Sequence, residues 1–457
     1  MFIENEELFF LDYEGGESQS ILYAPRRSYL ALVKNDLRDA VLNPQNSNAK
    51  HELLQRLRSR KYIDLEEFLS LVSNVRPILS VAVTENCSLR CTYCYASAGE
   101  PHKRNSMTTE MINSLLISYF NYFPELINPA QFKTKNVEIR IMGGGEATYE
   151  FDKLKYLVER SRELAAEREL TCSFSLPTNG IYGNTIREFL AKNMSSISLS
   201  FDGIPEIQNL HRPLPNGSPS FPIVYETAKY FYEHQVPFAF RSTVSDYSLN
   251  YLEEITSFFH KEFPGILMSL EPLSPLGRAN YNQTVRPPDK KLFGEKLVAL
   301  MKSGAEKGMK IVNSASSEFN MLRPVFCSNV AVPNWTVAVD GRIYCCERDD
   351  APDDFLLGQF DFDSGEFVLF PEKIQKIRQM NVFSYPECAD CFCKYHCAGD
   401  CPDRRLAEHR SCEEIRSVGK YVLSNHFRQK DIQAYQVSAY IQRKEGAREY
   451  GTTTHAN

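Results

Sequence analysis

Cysteine spacing constrains this chain more than any other feature. Ten of its thirteen cysteines fall into two spaced sets: Cys87, Cys91 and Cys94 near one end, and seven more from Cys327 to Cys412. The first set stands in Thr84-Glu85-Asn86-Cys87-Ser88-Leu89-Arg90-Cys91-Thr92-Tyr93-Cys94, a C-x3-C-x2-C loop with an aromatic residue before its last cysteine. A closed four-iron electron carrier takes four cysteines, whereas three leave one iron open to a ligand. A zinc site is the bland alternative, but zinc prefers paired C-x2-C knuckles, and only Cys91 and Cys94 form one here.

A strand-and-helix alternation begins at this loop. Ile78 to Val83 is a short apolar run before the cysteines, and Thr108 to Phe123 then carries Ile112, Leu115, Leu116, Tyr119, Phe120 and Phe123 at helical spacing. Val137, Ile139 and Ile141 alternate into Gly143-Gly144-Gly145-Glu146, and Asp152 to Arg168 is again helical. Further runs end in Thr178-Asn179-Gly180, in Asp202-Gly203, and at Phe238 to Val244, and Ile266 to Leu270 leads into Glu271. Six strands alternating with helices predict a parallel sheet closed into a partial barrel, with its chemistry at the strands' C-terminal ends. Every polar or glycine-rich segment follows its strand, so the motifs converge on one rim.

The loop and its context resemble the radical S-adenosylmethionine (SAM) superfamily. In that family the amino and carboxylate groups of SAM chelate the open iron, and an electron from the cluster cleaves the sulfonium to methionine and a 5′-deoxyadenosyl radical. The resemblance implies that Cys87, Cys91 and Cys94 hold the cluster. It also places Tyr93, Gly144, Gly145, Glu146 and Ser200 at SAM, with Glu146 helping to position the amino group and Asp202 and Arg212 organising the rim. Ala147 stands where the family has a proline.

The second set contains Cys327-x13-Gly341-x4-Cys346, then Cys388-x2-Cys391-x5-Cys397-x3-Cys401, then Cys412. This is similar to the seven-cysteine SPASM extension, which carries two auxiliary four-iron clusters; a zinc ribbon is the alternative, though the spacings give no two matched knuckles. By that resemblance Cys327, Cys346 and Cys401 bind the first auxiliary cluster, and Cys388, Cys391, Cys397 and Cys412 close the second. The fourth ligand of the first is open between Cys345, Cys393, a non-cysteine side chain and the substrate. Cys172 reads as a packed thiol.

The expected architecture is therefore α/β: a partial (β/α)6 TIM-like barrel, a C-terminal iron–sulfur SPASM domain and a small N-terminal α+β domain. The expected divisions are 1–75, 76–290 for the radical SAM core, 291–325 as a linker helix, 326–425 for SPASM, and 426–457 as helix and tail. Within 1–75, Leu8 to Tyr13 and Ser20 to Pro25 flank a Glu14-Gly15-Gly16-Glu17 turn and suggest a hairpin, with helices from about Asp36 and over Lys50 to Arg60. This order resembles a peptide-leader recognition domain; a cap over the barrel's open side reads equally well. Val418 to Lys444 reads as helix.

A net charge of −6 excludes nucleic acid as the main partner. Without an eighteen-residue apolar stretch or a signal-peptide pattern, the expectation is a cytoplasmic protein with no membrane association. Resemblance points to a radical SAM oxidoreductase acting on a precursor peptide or protein, fed by flavodoxin or ferredoxin, and using SAM and three [4Fe-4S] clusters. The leading reading is a maturase that forms a C–C or thioether cross-link in a ribosomally made peptide. The alternative is an anaerobic sulfatase-maturing enzyme forming formylglycine, in which the residue after the second SPASM cysteine is an Asp proposed as base; here it is Glu347. A non-catalytic iron–sulfur carrier or peptide-binding scaffold is the reading from another class, and the open three-cysteine cluster opposes it.

Overall fold

The computed structural model describes residues 2–3, 7–43, 45–70, 78–126, 135–314, 322–331, 334–348, 351–406 and 408–426. The expected domain boundary at 75/76, the continuation of the last helix beyond 426 and the tail lie outside them.

Continuous apolar runs, Leu8 to Leu11 and Ile21 to Ala24, make both faces of the N-terminal sheet apolar. β1 (Phe2–Ile3), β2 (Leu8–Asp12), β3 (Gln19–Ala24) and β4 (Tyr29–Lys34) form an antiparallel sheet in that order, followed by helices Asn35–Leu42, Ser47–Arg58 and Leu65–Ser70. One face, with Leu8, Phe10, Leu22 and Ala24, packs on Val41, Leu53 and Leu57 of its own helices. The other, with Phe9, Ile21 and Tyr23, packs on Cys393, Ile415 and Leu423. This unit therefore lies against the C-terminal cysteine region.

Among the described residues the main sheet has 11 strands. Seven are parallel neighbours in sequence order: β5 (Ile78–Val81), β6 (Asn136–Ile141), β7 (Thr171–Thr178), β8 (Ser196–Ser200), β9 (Phe238–Val244), β10 (Leu267–Pro272) and β11 (Lys310–Val312). The first six are the strands expected from periodicity. The seventh lies in the segment expected to be a linker helix: residues 290–306 are helical, but β11 then pairs with β10, so this stretch belongs to the barrel wall.

Beyond β5 the sheet continues into the C-terminal region. β12 (Trp335–Val337) runs parallel to β5, and β13 (Arg342–Tyr344), β14 (Leu356–Asp361) and β15 (Glu366–Leu369) follow antiparallel. Trp335 is fully buried at this seam, 5.1 Å from the Tyr122 ring and 4.6 Å from that of Phe367. Ile78 N–H donates to Asn334 Oδ1 at 2.9 Å beside it.

Period-two patterning sorts the barrel strands into two sides. Val137, Ile139, Ile141, Phe174, Leu176, Ile197, Leu199, Met268 and Leu270 are buried in the main core. The alternate positions, including Glu138, Arg140, Ser175, Ser200, Thr243 and Glu271, are polar and half-buried. The interior of a closed barrel is filled by branched apolar side chains. Here the strand face toward the barrel interior, the chamber side, is polar and half-buried.

Candidate active site

The cysteine loop follows β5 and is fastened to the ends of other strands by backbone hydrogen bonds. Arg90 N–H donates to Pro213 O at 2.8 Å and Thr92 N–H to His211 O at 2.8 Å, both beyond β8. From beyond β10, Arg278 N–H donates to Cys94 O at 2.8 Å, and its guanidinium donates to Cys91 O at 2.7 Å. Gly277 permits this approach, since a Cβ there would sit 1.8 Å from Tyr95 O. The thiols receive donors too: Leu89 N–H to Cys87 Sγ at 3.5 Å, Asn179 Nδ2 to the same sulfur at 3.6 Å, and Ala98 N–H to Cys94 Sγ at 3.4 Å.

Burial pushes the Cys87 thiol up, and Cys91 to about 12, while Arg212 and Arg278 pull Cys91 back. Half-buried thiols ringed by N–H donors and two guanidinium groups suit a group that binds them as thiolates and carries negative charge. The residues fit a [4Fe-4S] cluster.

Asp202, at the end of β8, is completely buried. Its carboxylate accepts from the Tyr93 hydroxyl, Arg212 Nε at 2.9 Å, Arg212 Nη2 at 3.2 Å and Thr243 N–H at 2.9 Å, with His211 Nδ1 at 3.1 Å. Burial alone would raise its pKa, but the Arg212 guanidinium and His211 outweigh that and hold it well below the usual carboxylate range. One ionised carboxylate thus ties the cysteine loop to two strand ends.

Gly145 lies where a Cβ would be 2.2 Å from Thr84 O, so the glycine segment packs directly under the cysteine loop. Glu146 is 4% exposed, and its carboxylate is turned inward. It accepts from Thr148 Oγ1 at 2.7 Å, Thr178 Oγ1 at 2.9 Å and Asn179 N–H at 2.7 Å. Its visible work is to hold the end of β7 against the glycine loop. Ser200 ends β8, half-buried, on the chamber side.

The other cysteines form two groups. Charges on Cys346, Cys327 and Cys401 all act on Cys345, and Cys401 acts on both Cys327 and Cys346; burial raises Cys327 to about 11 and Cys346 to about 12. Cys388, Cys391, Cys397 and Cys412 instead line one cavity of about 420 Å³, together with Cys393 and Lys394. Cys393 is buried, with its Sγ 3.7 Å from Ile415 O. Of the two spare thiols, Cys345 is therefore with the first group and Cys393 with the second. Cys172 donates to Ser161 O at 3.4 Å, as a packed thiol does. Among the described residues no three Cys, His, Asp or Glu side chains are placed to hold a single metal ion.

Glu347, next to Cys346, reaches the chamber, where it pairs with Arg140 of β6; Arg140 also holds Glu138 at 3.2 Å. Arg348 stacks 5.8 Å from the Tyr95 ring, one residue past Cys94, and pairs with Asp403 at 2.6 Å, two residues past Cys401. The loop after Cys346 thus touches both the barrel wall and the radical-type cysteine loop. Arg278, His211, Arg140 and Arg348 were missed from the sequence. Arg278 alone had a signal there, following Gly277 beyond the sixth strand as the other motifs follow theirs.

Residues 81–259 match the family model of the Radical SAM superfamily, and the chain carries a radical SAM domain. Such a domain implies SAM and a [4Fe-4S] cluster. The chain is 23% identical over 359 residues to the cysteine-type anaerobic sulfatase-maturating enzyme of Clostridium perfringens, covering 74% of this chain and 93% of that enzyme. Its fold matches that of native anSMEcpe with bound AdoMet and Cp18Cys peptide, with a TM-score of 0.61, 20% identity and coverage of 78% of this chain and 98–99% of such anSMEcpe chains. It also matches Streptococcus suis SuiB bound to S-adenosylmethionine, with a TM-score of 0.50, 16% identity and coverage of 90% and 98%. Among the described residues no helix is long and apolar enough to cross a membrane.

Proposed function

We propose that this chain is a peptide maturase that uses SAM to abstract hydrogen from a precursor peptide and forms a C–C or thioether cross-link. The observation that carries this reading is the polar chamber. It is bounded at its rim by the Cys87–Cys94 loop and entered from the C-terminal region by Glu347, beside the Cys327, Cys346 and Cys401 group. A small-molecule pocket is lined mainly by apolar groups with few polar ones; a half-open trough of serines, threonine and paired charges suits an extended peptide backbone. The fold shared with anSMEcpe, solved with AdoMet and a peptide, supports the same reading.

Bound at the three-cysteine loop, a reduced cluster supplies the electron that cleaves SAM. The chain's own residues then position and exclude. Arg278 and Asp202 hold the loop, and Gly145 lets the glycine segment approach it. Arg140 pairs with the Glu347 carboxylate and orients it, so that it serves as base for the proton released as the product closes. The Cys327, Cys346 and Cys401 group, with Cys345 as fourth ligand, and the Cys388, Cys391, Cys397 and Cys412 group would hold two auxiliary clusters, which would supply an acceptor for the remaining electron. Twelve irons in all is the expectation, about four per cluster. Residues 1–75 are proposed to recognise the leader of the substrate, a flavodoxin or ferredoxin to supply electrons, and the reducing cytoplasm to be the working compartment.

The second reading, formylglycine formation, is favoured by the name of the sequence relative and by the carboxylate that follows Cys346. Mass spectrometry of a peptide encoded beside the gene and co-expressed with it separates the two. A loss of two hydrogens with fragmentation that shows two residues joined supports cross-linking, and an aldehyde at a single former Cys or Ser supports formylglycine. An unmodified peptide, with no 5′-deoxyadenosine formed from SAM by the reduced protein, would leave only the carrier or scaffold.

A further inference from the structure

The N-terminal sheet does more than rest on the C-terminal cysteines. Tyr23 of β3 bonds through its hydroxyl to the His396 ring, beside Cys397. Glu7, just before β2, accepts from the Tyr395 hydroxyl and pairs with Lys394 Nζ at 2.7 Å and Arg26 at 3.2 Å. All of this is enclosed: the side chains of Lys394, Glu7 and Arg26 are 7%, 13% and 9% exposed.

Lys394 is the informative residue. It lies between Cys391 and Cys397 and lines the cavity that the four cysteines enclose. A lysine at this depth is costly to bury without a partner, and its carboxylate comes from the far end of the chain. Such a charge acts strongly on whatever fills the cavity, because a partly buried pair is little screened by salt. A cation beside a cluster favours the reduced, more negative state, and a neighbouring anion opposes it.

We propose that the N-terminal domain is a working part of the second auxiliary site. Its sheet packs behind Cys393 and Ile415, which line the cavity, and Glu7 sets the net charge that Lys394 presents to the cluster, so occupancy or displacement of this domain changes how readily that cluster takes an electron. The proposal rests on the reading that Cys388, Cys391, Cys397 and Cys412 bind a cluster. The electron in question is single, taken up by the cluster from a reductant and passed on without change to the protein.

The test uses the full chain with Cys87, Cys91 and Cys94 replaced by Ala, so that only auxiliary clusters remain. The signal lost in a further Cys388→Ala variant identifies the second cluster, and its midpoint potential is read by EPR-monitored redox titration. Glu7→Gln is expected to move that midpoint to more positive potential, Lys394→Met to more negative, and neither to move the first auxiliary cluster. A fall of about four irons in Glu7→Gln also supports the proposal, since the packing behind the cysteines has then failed to retain the cluster. Full iron content with unmoved potentials in both variants overturns it. If Cys388→Ala removes neither iron nor a signal, the cluster assignment itself falls and takes the proposal with it, a pattern distinct from unmoved potentials.

Discussion

Around Cys87–Cys94 the loop is held by groups from distant strand ends: Arg278 on two carbonyls, His211 and Pro213 carbonyls on two amides, and the Asp202 hub. Around Cys388–Cys412 the chain runs in elements as short as the four-residue helix Lys394–Cys397 and the five-residue helix Pro402–Leu406, and the thiols surround a cavity of about 420 Å³. The first site is a feature of a scaffold that stands without metal. In the second, the proposed cluster would take the place of a core, as expected where little apolar surface is available to close the space. Removing metal ligands should therefore abolish chemistry at one site and structure at the other.

The sharpest break of this comparison comes from ligand removal. Replacing Cys87, Cys91 and Cys94 by Ala should abolish 5′-deoxyadenosine formation and leave the thermal midpoint nearly unchanged. Replacing Cys388 and Cys412 should lower the midpoint, and limited proteolysis should cut first in the C-terminal region. Equal loss of stability in both variants would erase the distinction.

Asp202→Asn is the next largest effect. It leaves the Arg212 guanidinium buried without its anion, at a cost of about 3–5 kcal/mol, readable by denaturant unfolding. A cost below about 1 kcal/mol would mean that the loop is not organised by this hub.

Cys345→Ala should remove about four irons and Cys393→Ala none, measured by iron analysis and Mössbauer spectroscopy. The reverse result would move the spare ligand to the other group.

The smallest effect is kinetic. In metal-free protein, hydrogen bonding from Cys393, with help from Arg416, brings Cys391 down to about 6, while burial raises Cys388. Cys391 should be the first thiol of its group alkylated at pH 7, and its rate should fall roughly ten-fold on going to pH 5, as its thiolate fraction drops. Cys388 reacting first would contradict this.

The six strands β5 to β10 were legible because each carries alternation or an apolar run ending in a polar turn, and the cysteine groups because spacing survives without structure. β11 to β13 were not. Strands of three residues, Lys310–Val312, Trp335–Val337 and Arg342–Tyr344, are too short to show a period, and only their partners define them. Glu146 was read for the ligand its motif faces, and no local pattern announced that its side chain also accepts from Thr148, Thr178 and Asn179. The ion pair of Glu7 with Lys394 joins residues near opposite ends of the chain, and no local pattern announces such a contact.

The parallel pairing of β5 with β12 also bears on how such proteins can be taken apart and rebuilt. The junction between barrel and C-terminal region is a ladder of backbone hydrogen bonds, so the two halves are not cassettes that recombination could exchange freely. A fragment ending at residue 314 would bare the edge of β5, and a bare edge recruits strands from other molecules. Trp335, the sole tryptophan of the chain, sits on that ladder, and its emission is a built-in gauge of whether the two halves are still joined.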